Sequence, residues 1–169
     1  MYDWELDDTA LRAWVRLRQA SDAVDRVLET GLGKRDATLA QIDVLSILSA
    51  SKAPLTPGEI AGYTFRQQHS ASAQLSRMQR AGLVKKTRSK KDQRVVKIRM
   101  QAKGEELLKQ TKEAGLGRAE SLLKSCLSTQ EIKQFDALLK KVRDQALKEL
   151  GIKAEPLPAT IQFPADRAR

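Results

Sequence analysis

The chain has 169 residues, 41% apolar and 31% charged, with a formal net charge of +10 at neutral pH. No run approaches the ~18 apolar residues that cross a bilayer. A single cysteine, Cys126, excludes an internal disulfide framework and a cysteine-based zinc site, and a single histidine, His69, leaves transition-metal chemistry without its usual ligands, so no cofactor or metal is expected.

The length suits one ordinary core, or a small core with a helical extension. Met1-Tyr2-Asp3-Trp4-Glu5 is acidic and lacks a basic-then-apolar signal pattern, so the expected location is cytoplasmic, with no membrane partner. A first helix is expected from Asp8 or Thr9, with Trp14, Leu17, Ser21, Val24 and Leu28 at helical spacing and Gly31 as its stop. A second starts near Thr38 and lines Leu39, Ile42, Leu45 and Leu48 on one face, ending at Ala53-Pro54-Leu55.

Thr56-Pro57-Gly58-Glu59 combines an N-cap hydroxyl, proline at the first helical position and glutamate at the third, the two halves of a capping box. The helix it starts is short, through Ile60, Ala61 and Tyr63. A turn from Phe65 to Gln68 leads into another helix, Ser70 to Ala81, stopped by Gly82. Two strands follow, Val84 to Arg88 and Arg94 to Met100. In the second, Val96, Ile98 and Met100 alternate with Lys97 and Arg99, the period of a strand with one buried face. The tip between them, Ser89 to Gln93, has no apolar residue and must be exposed. Beyond Gly104, Glu105 to about Ser125 is a helix candidate weakened by Gly115 and Gly117. Ser128 and Glu131 form a second capping box, with Leu127 placed to staple onto Ile132. The helix they start carries a stripe of Ile132, Phe135, Leu139, Val142 and Ala146 and ends at Leu150-Gly151. The proline-containing tail, 152–169, is expected to be irregular.

Charge is distributed unevenly along these elements. Arg66 to Lys103 contains twelve Lys/Arg residues and one acid, Asp92, while the rest of the chain is close to neutral. That is the electrostatic footprint of a polyanion binder. The same window reads as a helix followed by a charged hairpin, and with the short capped helix before it this makes a helix-turn-helix with a wing. In such a motif the second helix enters the major groove and its first residues reach the base edges.

With Ala71, Leu75 and Met78 inward, a step of 100° per residue puts His69, Ala73, Ser76 and Arg80 on the opposite face, flanked by Ser70, Ser72 and Arg77. Small hydroxyl and alanine residues permit close approach to bases, Arg77 suits guanine or phosphate, and Gln67 and Gln68 suit adenine or backbone. Arg88, Lys90, Lys91 and Arg94 are the electrostatic anchors of the wing, and Asp92 caps its turn.

Leu55 to Gly104 resembles the winged helix of the MarR family of transcriptional regulators. The resemblance rests on LTPGEIA (55–61), SRMQRAGLVKK (76–86), DQR (92–94), RMQAKG (99–104) and TLAQIDVLSIL (38–48), and it extends over about Asp8 to Leu150. The family usually has Leu-Thr where this chain has Met100-Gln101. The resemblance implies a mainly α fold with a small β-hairpin: a winged helix-turn-helix over 37–103 and a helical dimerisation region formed by 1–36 with 104–151. It implies a homodimer that binds a pseudo-palindromic double-stranded operator, commonly as a repressor relieved by a small-molecule effector, and a role for Asp92 in orienting Arg94 toward DNA.

Trp14, Arg18, Tyr63 and Phe65 are candidates for an effector pocket, against the plainer expectation that Trp14 and Phe65 are core and Arg18 is solvated. Cys126 is expected to be a small buried hydrophobe rather than a redox switch. A winged helix used as an architectural DNA coat or a protein-docking module is the competing reading. An enzyme is disfavoured, because the sequence has no glycine-rich phosphate loop and no nucleophile with a histidine base.

Overall fold

The computed structural model describes residues 6–32, 37–51, 53–89, 92–111 and 117–151. Lys90 and Lys91 of the hairpin tip, Gly115 and the tail expected to be irregular lie outside the described residues.

The first helix, α1 (Thr9–Leu32), opens on Asp8, whose carboxylate accepts the Leu11 N–H at 2.7 Å. α1 packs against later helices, and of its residues only Leu32 is buried. α2 (Leu39–Ala50) starts with a complete capping box between Thr38 and Gln41. It buries Ile42, Val44, Leu45, Leu48 and Ala50, more than one face, because it is the central helix of the core.

α3 (Pro57–Tyr63) has the expected Thr56–Glu59 box and Pro57 in its first turn. It ends in a Schellman turn: the Arg66 N–H donates to the Ala61 carbonyl at 3.0 Å and the Phe65 N–H to the Gly62 carbonyl at 3.2 Å. The left-handed position, normally glycine, is held by Phe65 at φ 52°. α4 (Gln68–Arg80) buries Ala71, Leu75 and Met78 as expected, and Gln74 beside them. Its own Schellman turn uses Gly82 at φ 75°, with Leu83 donating to the Met78 carbonyl.

Strands β1 (Val84–Arg88) and β2 (Val96–Met100) are antiparallel, pairing Val84 with Met100, Lys86 with Ile98 and Arg88 with Val96. β2 starts at Val96 rather than Arg94. Asp92 holds the preceding residues in a turn, accepting the Arg94 N–H on its carboxylate at 2.9 Å and the Val95 N–H on its carbonyl at 3.0 Å. Ile98 also donates to the Leu55 carbonyl at 2.7 Å, which ties the segment before α3 to the hairpin. Ile98 is fully buried, but Val96 is exposed, because it lies at the end of the hairpin beyond the core.

α5 (Ala102–Thr111) begins three residues before Glu105. The Gln101 carbonyl accepts from Gly104 and Glu105, and the Gln101 amide donates to the Val84 carbonyl at 2.9 Å. The helix start is thereby fastened to the hairpin without a threonine cap. Gly104 is required there, since a Cβ would collide with the Leu83 carbonyl and crowd Leu45 and Met100. One core joins Leu32, α2, Leu55, Ile60, α4, both strands and Leu108 of α5.

α6 (Gly117–Cys126) and α7 (Thr129–Glu149) follow, and α7 opens on the expected Ser128–Glu131 box. α6 packs on α1 and α7 on α6. Along α7 only Leu147 is buried; Phe135 and Val142 of its apolar stripe face outward, as does Leu138 beside them. No helix among the described residues is long and apolar enough to cross a membrane.

Candidate nucleic-acid interface

α4 is positioned by its inner edge. Ala71, Leu75 and Met78 lock into the core, so the opposite edge stands clear of the protein. Gln67, Gln68, His69, Ser70, Ala73, Arg77 and Arg80 are exposed, and Ser72 and Ser76 are half-buried. Gln67 occupies the N-cap, yet its side chain makes no capping hydrogen bond. The helix begins two residues earlier than its sequence suggests, which brings Gln68 and His69 into the first turn.

Ser76 has a specific partner. Lys86 Nζ donates to Ser76 Oγ at 2.9 Å, and that hydroxyl donates to the Ser72 carbonyl at 2.9 Å. A wing cation is therefore fixed on the outward side of α4, and Ser76 serves as its acceptor rather than presenting an unengaged hydroxyl. Lys86 was not among the residues picked out from sequence. The available signal was a lysine at an inward register of β1, in step with Val84, where a long aliphatic stem can run along a neighbour and deliver its charge beyond it.

The rest of the wing divides its charges. Arg88, Asp92 and Arg94 are exposed, and the Asp92 carboxylate caps the turn through the Arg94 backbone N–H. Lys97 is turned away from the tip toward the Glu59 carboxylate at 3.5 Å. Partial burial pushes the Glu59 carboxyl up, but hydrogen bonds from the Thr56 backbone and hydroxyl and the charge of Lys97 outweigh it, and its pKa falls below the ordinary value. Glu59 thus caps α3 and clamps β2 with one carboxylate. On α2, desolvation raises the Asp43 carboxyl above its ordinary pKa; Arg66 opposes this and Asp25 adds to it.

The four effector-pocket candidates are not a shared core. Arg18 stacks over the Trp14 ring at 5.9 Å, so it is not simply solvated. Trp14 is 54% exposed, Phe65 is 60% exposed, and Tyr63 packs against the core from its edge. Cys126 is exposed, not buried; its thiol donates to the Leu122 carbonyl at 3.3 Å. Gln74 is buried with Nε2 lacking a hydrogen-bond partner, and nothing in the structure explains it. Among the described residues, no group of three or more His, Cys, Asp or Glu could hold a metal ion.

A capped short helix, a tight turn, an exposed second helix and a cationic two-stranded hairpin braced on it define a winged helix-turn-helix. Residues 36–95 match the sequence profile described as MarR family. Solved structures agree over most of the chain. The MepR–DNA complex from S. aureus is 25% identical, covering 78% of this chain and 96% of that one, at TM-score 0.71. AbsC, a MarR family transcriptional regulator from Streptomyces coelicolor, is 21% identical, covering 86% and 98%, at TM-score 0.76. The organohalide-sensing regulator RdhR in its 2,4-dichlorophenol-bound form is 22% identical, covering 87% and 86%, at TM-score 0.77. Comparison with curated proteins gives no significant match. Over residues 36–95 the winged helix of this chain is similar to the MarR family, and its fold is that of solved MarR-family regulators.

Proposed function

We propose that the chain is a sequence-specific regulator of transcription that binds double-stranded DNA in the cytoplasm as a homodimer. In this reading α4 enters the major groove of a half-site, Gln67, Gln68, His69, Ser70, Ser72, Ala73, Ser76 and Arg77 face the bases and their flanking phosphates, and Arg88, Lys90, Lys91, Arg94 and Lys86 hold the backbone. The observation that carries it is the Lys86–Ser76 hydrogen bond, which makes the cationic hairpin and the exposed edge of α4 parts of one surface. The solved MepR structure of the same fold is a DNA complex, in line with that use.

Dimerisation is assigned to 1–36 with 104–151, leaving 37–103 to bind DNA. Its support is the outward apolar stripe of α7, with Leu138 60% and Val142 56% exposed, together with Leu11 and Trp14 of α1. A second copy covering these faces would place two recognition helices for an inverted repeat about one helical turn apart. Repression relieved by a small ligand is the regulatory form we favour. The exposed Trp14–Arg18 pair offers an aromatic face and a cation, and RdhR of the same fold is solved with 2,4-dichlorophenol bound.

Selection from a random duplex library tests the proposal. A reproducible inverted repeat is expected, with a log–log salt slope of roughly −5 to −9 if about six to ten phosphates are neutralised per dimer. Retention of all duplexes without an enriched motif would instead identify an architectural coat.

A further inference from the structure

We infer, building on the DNA-binding reading above, that α4 reads A·T pairs in the centre of each half-site through Gln67, Gln68 and Ala73. Residues at the start of a recognition helix reach the base edges first. From Gln67 to Ala73 the groove-facing side chains are two amides, an imidazole, two hydroxyls and a methyl. A glutamine amide matches the N6/N7 edge of adenine bidentately, and an alanine methyl packs on the thymine methyl; guanine O6/N7 is matched by arginine or lysine. His69 can donate to N7 of either purine, and serine serves either base, so neither discriminates.

The exposed cations flank this stretch rather than lie within it. Arg66 precedes the N-cap residue Gln67. Arg77 and Arg80 belong to the last turn of the helix, at least 9 residues beyond Gln68, roughly 14 Å along the axis. Lys86 is held by Ser76, one turn beyond Ser72. Gln67 is unused as a cap, so its amide is available to a base, and Gln68 beside it is exposed. Ala73, exposed on the outward edge, supplies the methyl contact.

The test uses the full chain at one fixed salt concentration. A duplex recovered by random selection is remade with 7-deazaadenine, which lacks N7, or with uracil for thymine, one half-site position at a time. We expect an inverted repeat with A·T pairs at its helix-contacted positions. At least one 7-deazaadenine position should cost roughly 10-fold in affinity, and the Gln67→Ala/Gln68→Ala double variant should be indifferent to that change. Ala73→Gly should remove sensitivity to uracil. A repeat whose contacted positions are G·C and lose affinity with 7-deazaguanine would overturn the inference and leave the regulator reading intact. An A·T repeat indifferent to every base analogue would also overturn it, assigning the preference to groove shape. Recovery of no motif would overturn both readings.

Discussion

Lys86 and Ser76 meet at 2.9 Å, ten residues apart in the chain and on different elements. The hairpin already shares a core with α4, and this contact also braces it against the outward edge of that helix. Its geometry also divides labour, because Ser76 gives its proton to the Ser72 carbonyl and its lone pair to the ammonium.

Lys86→Met is expected to weaken binding to specific and non-specific duplexes alike and to reduce the magnitude of the salt slope by about 1. Fluorescence anisotropy at several salt concentrations reads both quantities. Ser76→Ala should keep the charge and lose its fixed position, costing about 1 kcal/mol of stability with little change in slope. An unchanged slope for Lys86→Met would remove this lysine from the interface.

Gly104→Ala is expected to destabilise the protein by about 3 kcal/mol, because the new methyl must displace the Leu83 carbonyl or push apart Leu45 and Met100. For a chain of this size the melting temperature should fall by roughly 6–12 °C. Circular dichroism melting is sufficient, and a wild-type melt would show that the α5–hairpin junction is looser than described.

Phe65→Gly should stabilise the protein by about 0.5–1 kcal/mol, the left-handed backbone cost of a non-glycine residue outweighing the extra entropy glycine has when unfolded. Urea unfolding gives the change directly. A gain in stability accompanied by loss of DNA or effector binding would locate a use for the exposed ring.

Glu59 gives a pH dependence of defined sign. Its folded pKa is lowered, so its contribution is complete above the ordinary value of 4.5 and is lost as pH falls through the depressed folded value. Glu59→Gln keeps an acceptor for the cap but removes this titration. The stability gap between wild type and variant should be largest near neutrality and close under acid conditions; a gap that widens on acidification would reverse the assignment.

Leu138→Glu with Val142→Glu is expected to leave the helical signal intact and to convert the protein to a monomer in light scattering, with loss of affinity for the inverted repeat. A variant that stays dimeric would move the interface off α7.

Most of the architecture was legible in local chemistry. The Thr56–Glu59 and Ser128–Glu131 boxes, Gly82 and the inward set Ala71, Leu75 and Met78 all read correctly, because each depends on neighbours within one or two turns. Errors arose where a hydrogen bond outside the periodic pattern decides. β2 starts late because Asp92 takes the N–H groups that would extend the strand. α5 starts early because Gln101 reaches the Val84 carbonyl. The period of β1 puts Lys86 inward but does not name Ser76, on another element, as its partner. Trp14, Phe65 and Cys126 were assigned to burial by residue type, yet within a single chain all three face outward.

That outward thiol has a practical consequence. Cys126 is the chain's sole cysteine, so a nitroxide or fluorophore can be attached to the end of α6 without engineering away any other site. In a two-fold assembly, each particle would carry a symmetric pair of labels. Their separation, read by dipolar spectroscopy with and without operator duplex or added aromatic acids, would report directly how the helical scaffold rearranges as the reading heads engage or let go.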